Sequence, residues 1–88
     1  MIFRNYGEDQ PTLKEWSRQL NIATKNNKIF RIYDTPEATV NQWSFLLNQL
    51  DNSITFPVYA TATQTIQAWE RKLNILFNRE VKNNADNK

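Results

Sequence analysis

The chain has 88 residues, the length of one small domain, and carries a formal net charge of +2 at pH 7. It contains no His, no Cys and only one Gly, so the sequence offers no neutral-pH general base of the usual kind, no thiolate and no glycine-rich phosphate loop. These absences argue against catalysis, and we expect a non-enzymatic protein with no metal, no cofactor and no small-molecule substrate.

One sequence pattern occurs three times, and the copies follow one another at intervals of 27 and 26 residues. Each copy has Phe and Tyr three positions apart, a Thr followed by an aliphatic residue, a Trp, and a Leu-Asn pair. The copies are Phe3, Tyr6, Thr12, Leu13, Trp16, Leu20, Asn21; Phe30, Tyr33, Thr39, Val40, Trp43, Leu47, Asn48; and Phe56, Tyr59, Thr65, Ile66, Trp69, Leu73, Asn74. Agreement at so many positions is not accidental. It predicts a single domain over residues 1–81, built from three repeats at 1–25, 26–51 and 52–81.

The first unit begins with residues 2–6, which are rich in apolar and aromatic side chains and predict a short strand. A helix is expected to begin near Thr12, because Thr12 and Glu15 have the spacing of a capping box, in which two side chains satisfy free backbone groups at the helix start. Trp16 and Leu20 then follow at the spacing of one helix face.

The second unit repeats this order. Residues 28–33 predict a second strand, in which Phe30 and Ile32 alternate with Arg31 and Tyr33 as one buried face requires. Thr35 is a favourable cap, and Pro36 is a favourable first helical residue. The sequence therefore predicts a second helix that runs from these residues to the turn-like residues 51–53.

The third unit begins with residues 53–59, which predict a third strand. Pro57 cannot donate a backbone hydrogen bond, so this strand is expected at an edge or with a bulge. Thr61 and Gln64 again have capping-box spacing, and the helix that follows is expected to end near residues 79–81. Residues 82–88 are almost entirely polar or charged and predict a disordered tail.

The alternation of strand and helix predicts a mixed α/β or α+β fold, with a small three-stranded sheet and three helices on one face. Such a parallel sheet would leave its other face uncovered, and a second chain would have to cover it. The alternative is an all-α assembly of three helices joined by extended linkers, if the strand-like segments are too short to pair.

The middle helix carries Phe45 where the first and third helices carry Arg18 and Arg71. This broader apolar surface suggests units laid side by side in order, with the middle helix flanked on both sides. Trp43 should then be more sensitive to replacement by Ala than Trp16 or Trp69.

The tryptophans lie on apolar helix faces and are expected in the core, whereas each Tyr is expected on the opposite side of its extended segment from the Phe. We interpret Tyr6, Tyr33 and Tyr59 as a partly exposed ridge that binds a protein partner, because Tyr is enriched at interfaces. The alternative is that each ring packs over a helix start with its hydroxyl on a backbone group. The leading hypothesis is therefore an adaptor, inhibitor or assembly subunit that self-associates into a homo-oligomer.

Charged side chains are unevenly distributed. Residues 1–31 carry six basic and three acidic groups, residues 32–70 carry no Lys or Arg, and residues 71–88 carry five basic and two acidic groups. Basic ends of this kind would steer a polyanion, so the alternative function is a nucleic-acid-binding regulator, and an acidic middle would equally favour head-to-tail self-association. The candidate nucleic-acid contacts are Arg4, Arg18, Arg31, Arg71, Lys72 and Arg79.

The sequence also bears on location. No apolar run approaches the length of a membrane span, and residues 1–6 lack a signal-peptide core. Because a chain without Cys suits a reducing compartment, we expect a cytoplasmic protein that does not engage a membrane. The abundance of Asn hints at an AT-rich genome, such as that of a phage or a mobile element.

Overall fold

The computed structural model describes residues 2–51 and 53–86, with side chains described through Asn78. Within these ranges the chain forms three helices, α1 (Asp9–Ala23), α2 (Pro36–Leu50) and α3 (Ala62–Asp86), and it contains no strand. The predicted three-stranded sheet is therefore wrong. The alternative of three helices joined by extended linkers is confirmed.

The starts of α2 and α3 are set by capping threonines. The hydroxyl of Thr35 accepts a hydrogen bond from the N–H of Ala38 at 3.1 Å, and Pro36 occupies the first helical position. The hydroxyl of Thr61 accepts from the N–H of Gln64 at 3.1 Å in the same way. The predicted starts of these two helices are confirmed.

The predicted start of α1 at Thr12 is wrong. This helix begins at Asp9, and Glu8 precedes it without capping it through its side chain. Thr12 is the counterpart of Thr39 and Thr65, which lie inside their helices, and not of the capping threonines. Its hydroxyl donates to the carbonyl of Glu8 at 2.7 Å, so the spacing that suggested a capping box marks an internal helical position instead.

The last helix is longer than the sequence suggested. It ends at Asp86, whereas we expected its end near residues 79–81. Residues 79–86 contain no Pro or Gly, the residues that most often stop a helix. The predicted disordered tail begins within this helix, and its last two residues, 87 and 88, lie outside the described residues, so the disorder stays a prediction.

Three extended segments precede the helices and take the place of the predicted strands. They are segment 1 (residues 2–6), segment 2 (residues 29–33) and segment 3 (residues 55–59). Each buries one Phe to an exposure of 0–1%: Phe3, Phe30 and Phe56. This single buried position explains the alternating pattern, because an extended backbone turns neighbouring side chains to opposite sides whether or not it pairs in a sheet.

The backbone of each extended segment bonds to side chains of the helices. In segment 2 the N–H of Tyr33 donates to the hydroxyl of Thr39 at 2.9 Å, and the carbonyl of Arg31 accepts from the indole Nε1 of Trp43 at 2.8 Å. The equivalent pairs form in segments 1 and 3 at 2.9 Å. The helices therefore supply hydrogen bonds that neighbouring strands would supply in a sheet.

The three repeats close into a ring through one Asn from each helix. Two of these contacts join consecutive repeats at 2.7 Å, from the N–H of Phe30 to Asn21 and from the N–H of Phe56 to Asn48. The third runs from the N–H of Phe3 to Oδ1 of Asn74 at 2.7 Å, across a sequence separation of 71 residues. Every extended segment thus lies between two helices, and every pair of helices is in contact.

Ring closure overturns the expectation of a central repeat flanked on both sides. Each helix has the other two as neighbours. Phe45, which we expected to be covered, is 69% exposed on α2. Trp16, Trp43 and Trp69 are all 0% exposed, so the middle repeat is no more enclosed than the others.

The core lies inside this ring and is built around the aromatic residues, as expected for the tryptophans. In each repeat the Phe packs edge-on against the Trp, with ring centroids 6.1, 5.5 and 5.8 Å apart in the three copies. Such a pair contributes about 0.5–1.5 kcal/mol beyond the burial of its area. Aliphatic side chains from all three helices complete the cluster, among them Leu13, Leu20, Val40, Leu47, Ile66 and Leu73.

Candidate interaction surface

The candidate protein-binding residues are the three tyrosines, and all of them reach the surface. Tyr6 is 49% exposed, Tyr33 is 38% exposed and Tyr59 is 42% exposed. Each ends an extended segment, and its N–H donates at 2.9 Å to the hydroxyl of a Thr in the helix that follows. The backbone of each Tyr is therefore held in place while its ring contacts solvent.

Tyr is the recurrent side chain of the repeat for which the structure shows no internal role. The Phe, Thr, aliphatic, Trp and Leu positions are buried in all three copies, and the Asn holds the backbone of an extended segment. Among the described residues, no Tyr hydroxyl takes part in a hydrogen bond. The alternative arrangement, with that hydroxyl on a backbone group, is absent from this part of the chain.

The tyrosines do not form one packed ridge. No Tyr ring contacts another aromatic ring within the described residues, where the ring pairs involve only Phe and Trp. The structure therefore presents three separate aromatic groups at equivalent points of the ring.

At least two of these groups lie at the same end of the molecule. The hydroxyl of Thr63 donates to the carboxylate of Asp9 at 2.9 and 3.1 Å. Because Asp9 begins α1 and Thr63 lies at the start of α3, the N-terminal ends of these two helices meet. Tyr6 and Tyr59 precede the two contacts by only three and four residues, so both flank this junction.

The candidate nucleic-acid contacts are also on the surface where they are described. Arg4, Arg18, Arg31 and Arg71 are exposed, Lys72 is partly exposed, and the side chain of Arg79 lies outside the described residues. Arg18 and Arg71 hold equivalent positions on α1 and α3, which contact each other because the ring closes. Repeats that are far apart in sequence thus place basic residues on adjacent helices.

Arg18 is already engaged by a carboxylate, since it forms an ion pair with Glu15 on the same helix. The hydrogen bond to Glu15 and its negative charge raise the pKa of Arg18 above its ordinary value. The guanidinium therefore stays charged at any physiological pH. Its pairing offsets part of the charge that a phosphate group would meet, so Arg18 is a weaker phosphate contact than its exposure suggests.

A second set of side chains, which the sequence pattern did not predict, also holds the extended segments. The hydroxyl of Ser17 donates to the carbonyl of Phe30, and the hydroxyl of Ser44 donates to the carbonyl of Phe56. The counterpart of these serines in α3 is Glu70. A Ser directly after Trp in two of the three copies was the sequence signal for these contacts. Because the third copy has Glu70 instead, the contact that closes the ring lacks the Ser hydrogen bond.

The sequence also gave no sign of an open cavity of about 250 Å³ where the C-terminal parts of the helices meet. Its lining includes Ala23, Leu50 and Leu76, which occupy equivalent positions in the three repeats. The first repeat thus has a small side chain where the others have Leu. Lys28 and Asp51 add polar groups to the lining.

The described residues contain no cluster of three or more carboxylate, imidazole or thiol side chains that could hold a metal ion. None of the three helices has, over the residues described, the length and apolar character needed to cross a bilayer. Comparison of the chain with models of known protein families, with curated proteins and with solved structures gave no match.

Proposed function

We propose that this chain is a non-enzymatic protein-interaction module, an adaptor, inhibitor or assembly subunit that binds protein through Tyr6, Tyr33 and Tyr59 and self-associates. The observation that carries the proposal is the 38–49% exposure of these rings in a repeat whose other recurrent side chains all have internal roles. A Tyr ring combines a large apolar area with a hydroxyl that donates and accepts, which suits it to interfaces. We place this activity in the cytoplasm, because a chain without Cys suits a reducing compartment.

The fold supports this role because it fixes the tyrosine backbones before any partner binds. The Thr hydroxyl that accepts from each Tyr N–H also donates to a carbonyl at the start of its own helix, at distances of 2.7, 3.0 and 2.9 Å in the three repeats. Binding then orders mainly the Tyr side chain, at a cost of about 0.5–1.5 kcal/mol for each residue. Because the backbone is already ordered, little binding free energy is lost to ordering it when a partner binds.

Simultaneous replacement of the three tyrosines by Ser tests the proposal. Size-exclusion chromatography with light scattering, from low micromolar concentration upward, measures self-association, and a pull-down measures partner binding. The parent protein should elute as an oligomer, and the triple variant should remain folded and capture no partner in the pull-down.

The matched control replaces Ile22 and Ile75 by Ser, because these apolar side chains are 57% and 49% exposed elsewhere on the surface. The control should associate like the parent protein. Association that survives in the triple Tyr variant and is lost in the control would place the interface elsewhere and contradict the proposal.

A second candidate is a nucleic-acid-binding regulator, and the contact between α1 and α3 favours it because Arg18 and Arg71 lie on these adjacent helices. Binding through phosphate contacts should weaken steeply as salt rises. Arg18→Glu with Arg71→Glu should greatly weaken such binding and leave a tyrosine-centred interface intact. If the parent protein causes no gel shift at low salt, this second candidate is excluded.

A further inference from the structure

We propose that segment 1 is an exchangeable arm. In a dimer of this chain, residues 2–6 of each copy would occupy the groove between α1 and α3 of the other copy. The inference rests on the self-association in the proposed function, but it assigns that association to the groove and not to the tyrosine surface. The occupant is a second copy, because its arm carries the same residues that fill the groove in the single chain.

Within the described part of the chain, side chains of α1 and α3 make the hydrogen bonds that hold segment 1 in this groove. Asn74 accepts the N–H of Phe3 at 2.7 Å and donates to its carbonyl at 2.9 Å. Trp16 donates to the carbonyl of Arg4 at 2.9 Å, and the ring centroid of Phe3 lies 5.4 Å from that of Phe77. A bound peptide makes contacts of this kind, and none of them requires the segment to belong to the same copy.

The three repeats together show what such a groove recognises. In each of them the Phe is buried to 0–1% exposure, and its N–H donates to an Asn at 2.7 Å. The two residues between Phe and Tyr differ from copy to copy: Arg-Asn, Arg-Ile and Pro-Val. The groove therefore recognises an extended segment through one buried Phe and through the backbone N–H of the Tyr position, and it tolerates variation at the two residues between them.

Segment 1 is joined to α1 by a short connection, but its contact with α3 is not enforced by a short loop. The Asn–Phe partners of the other two contacts are 9 and 8 residues apart, whereas Asn74 and Phe3 are 71 residues apart. A pair joined by a short loop re-forms within its own copy, because a short loop keeps its ends close at little entropic cost. The distant pair has no such advantage over the same arm from a neighbouring copy.

Among the described residues, a single side chain of α3 bonds the backbone of segment 1, whereas two side chains of the preceding helix bond each of segments 2 and 3. The Phe carbonyls of segments 2 and 3 accept from Ser17 and Ser44, but α3 carries Glu70 at the equivalent position. Asn74 alone bonds both the N–H and the carbonyl of Phe3.

Gly7 provides the hinge between the arm and α1. Its φ is +91°, a conformation that Gly adopts freely and other residues avoid. Its counterparts in the other repeats are Asp34 and Ala60. Because every arm contact is remade in the partner, exchange of an identical element is a low-cost route to a dimer.

The absence of Cys from the chain allows a direct test with two single-Cys variants. Nε2 of Gln19 donates to the carbonyl of Ile2 at 2.8 Å, so Ile2→Cys in one copy and Gln19→Cys in another come together when arms exchange. A mixture treated with a short bismaleimide should give a crosslinked heterodimer. The control mixture pairs Ile2→Cys with Lys14→Cys, an exposed position on another face of α1. Equal yields in the two mixtures, or no crosslink, would overturn the proposal.

Gly7→Val gives a second measurement. A Cβ at Gly7 would meet no atom within 4 Å, so the substitution acts mainly through the backbone. A β-branched residue disfavours the positive φ of the closed turn, so the dimer dissociation constant should fall about tenfold or more. Ala60→Val, at the equivalent position of the third repeat, should leave it unchanged. Unchanged or weaker association of the Gly7→Val protein would also overturn the proposal.

Tyr33→Ser with Tyr59→Ser separates this inference from the proposed function, since it leaves segment 1 intact. If arm exchange is correct, the crosslink between the two single-Cys proteins persists in this background. A missing crosslink together with a loss of partner binding in the triple Tyr variant would reject arm exchange alone. A crosslink together with an unaffected triple variant would reject the tyrosine interface alone.

Discussion

Asn74 satisfies both backbone groups of Phe3: its Oδ1 accepts the N–H at 2.7 Å and its Nδ2 donates to the carbonyl at 2.9 Å. One amide side chain thus makes the two hydrogen bonds that a neighbouring strand would make with the same residue. This contact closes the ring, because it joins residues that are 71 positions apart in sequence.

Removal of the Asn74 amide should therefore weaken the whole fold. Asn74→Ala leaves an N–H and a carbonyl without their partner in a partly buried place, and we expect the free energy of unfolding to fall by about 1–3 kcal/mol. Urea unfolding followed by Trp fluorescence measures the change. Asn78→Ala, one turn further along α3, should change the free energy by less than about 0.5 kcal/mol. Equal effects of the two substitutions would show that the closing contact contributes nothing.

Ring closure also predicts that the three tryptophans are equivalent. All are 0% exposed, and each indole Nε1 donates to a backbone carbonyl at 2.8–2.9 Å. Trp16→Phe, Trp43→Phe and Trp69→Phe should each lower the free energy of unfolding by a similar amount, about 1–3 kcal/mol, from a lost hydrogen bond and a small cavity. A cost at Trp43 that exceeds the other two by more than about 1 kcal/mol would instead support a row of units with a central member.

The repeat and the presence of three helices could be predicted from the sequence, because helical spacing is a local signal, although the cap signal misplaced the start of α1. The groups that form hydrogen bonds with the extended segments could not be predicted. The alternation of Ile54, Phe56 and Val58 reports an extended backbone with one buried face, but it does not say whether a strand or a side chain such as Asn48 accepts the hydrogen bonds. Ring closure could not be predicted for a related reason. Asn74 occupies the same motif position as Asn21 and Asn48, but its partner Phe3 lies at the far end of the sequence.

The exposure of the candidate site was partly predictable. The i, i+3 placement of Phe and Tyr on an extended segment puts their side chains on opposite sides, so burial of Phe30 favours exposure of Tyr33. Phe45 differs from the expectation, because its apolar character on a helix predicts a covering neighbour and the side chain is exposed. A single exposed apolar side chain is normal on a protein surface.

Because Phe45 is exposed, its replacement tests whether the three helices close into a ring with no covered middle repeat. Phe45→Arg gives the second repeat the residue that the other two carry, at a position that is 69% exposed. The free energy of unfolding should change by less than about 0.5 kcal/mol. Leu47→Arg, two residues away and 0% exposed, should unfold the domain, because a charge in the core loses its hydration without gaining a partner. Strong destabilisation by Phe45→Arg, seen in a thermal melt, would mean that Phe45 is covered by a neighbour.

The cavity at the C-terminal parts of the helices gives the last prediction. Ala23, Leu50 and Leu76 occupy equivalent positions and line a space of about 250 Å³, so the first repeat contributes the smallest side chain. Ala23→Leu should fill part of that space and raise the free energy of unfolding by about 0.5–2 kcal/mol, as cavity-filling substitutions do. Leu50→Ala should have the opposite sign, because it removes partly buried methyl groups and enlarges the same space.

The double variant Ala23→Leu with Leu50→Ala tests whether the two side chains share that space. If both side chains face the cavity, the new Leu compensates for the lost one, and the double variant should be more stable than the sum of the two single changes implies. Urea unfolding of the four proteins gives this coupling free energy. If Ala23→Leu alone lowers the stability by more than about 1 kcal/mol, the added methyl groups clash with close-packed neighbours. The helix C-terminal parts would then pack without the gap, and the smaller residue in the first repeat would reflect a tighter approach of α1 to the other two helices.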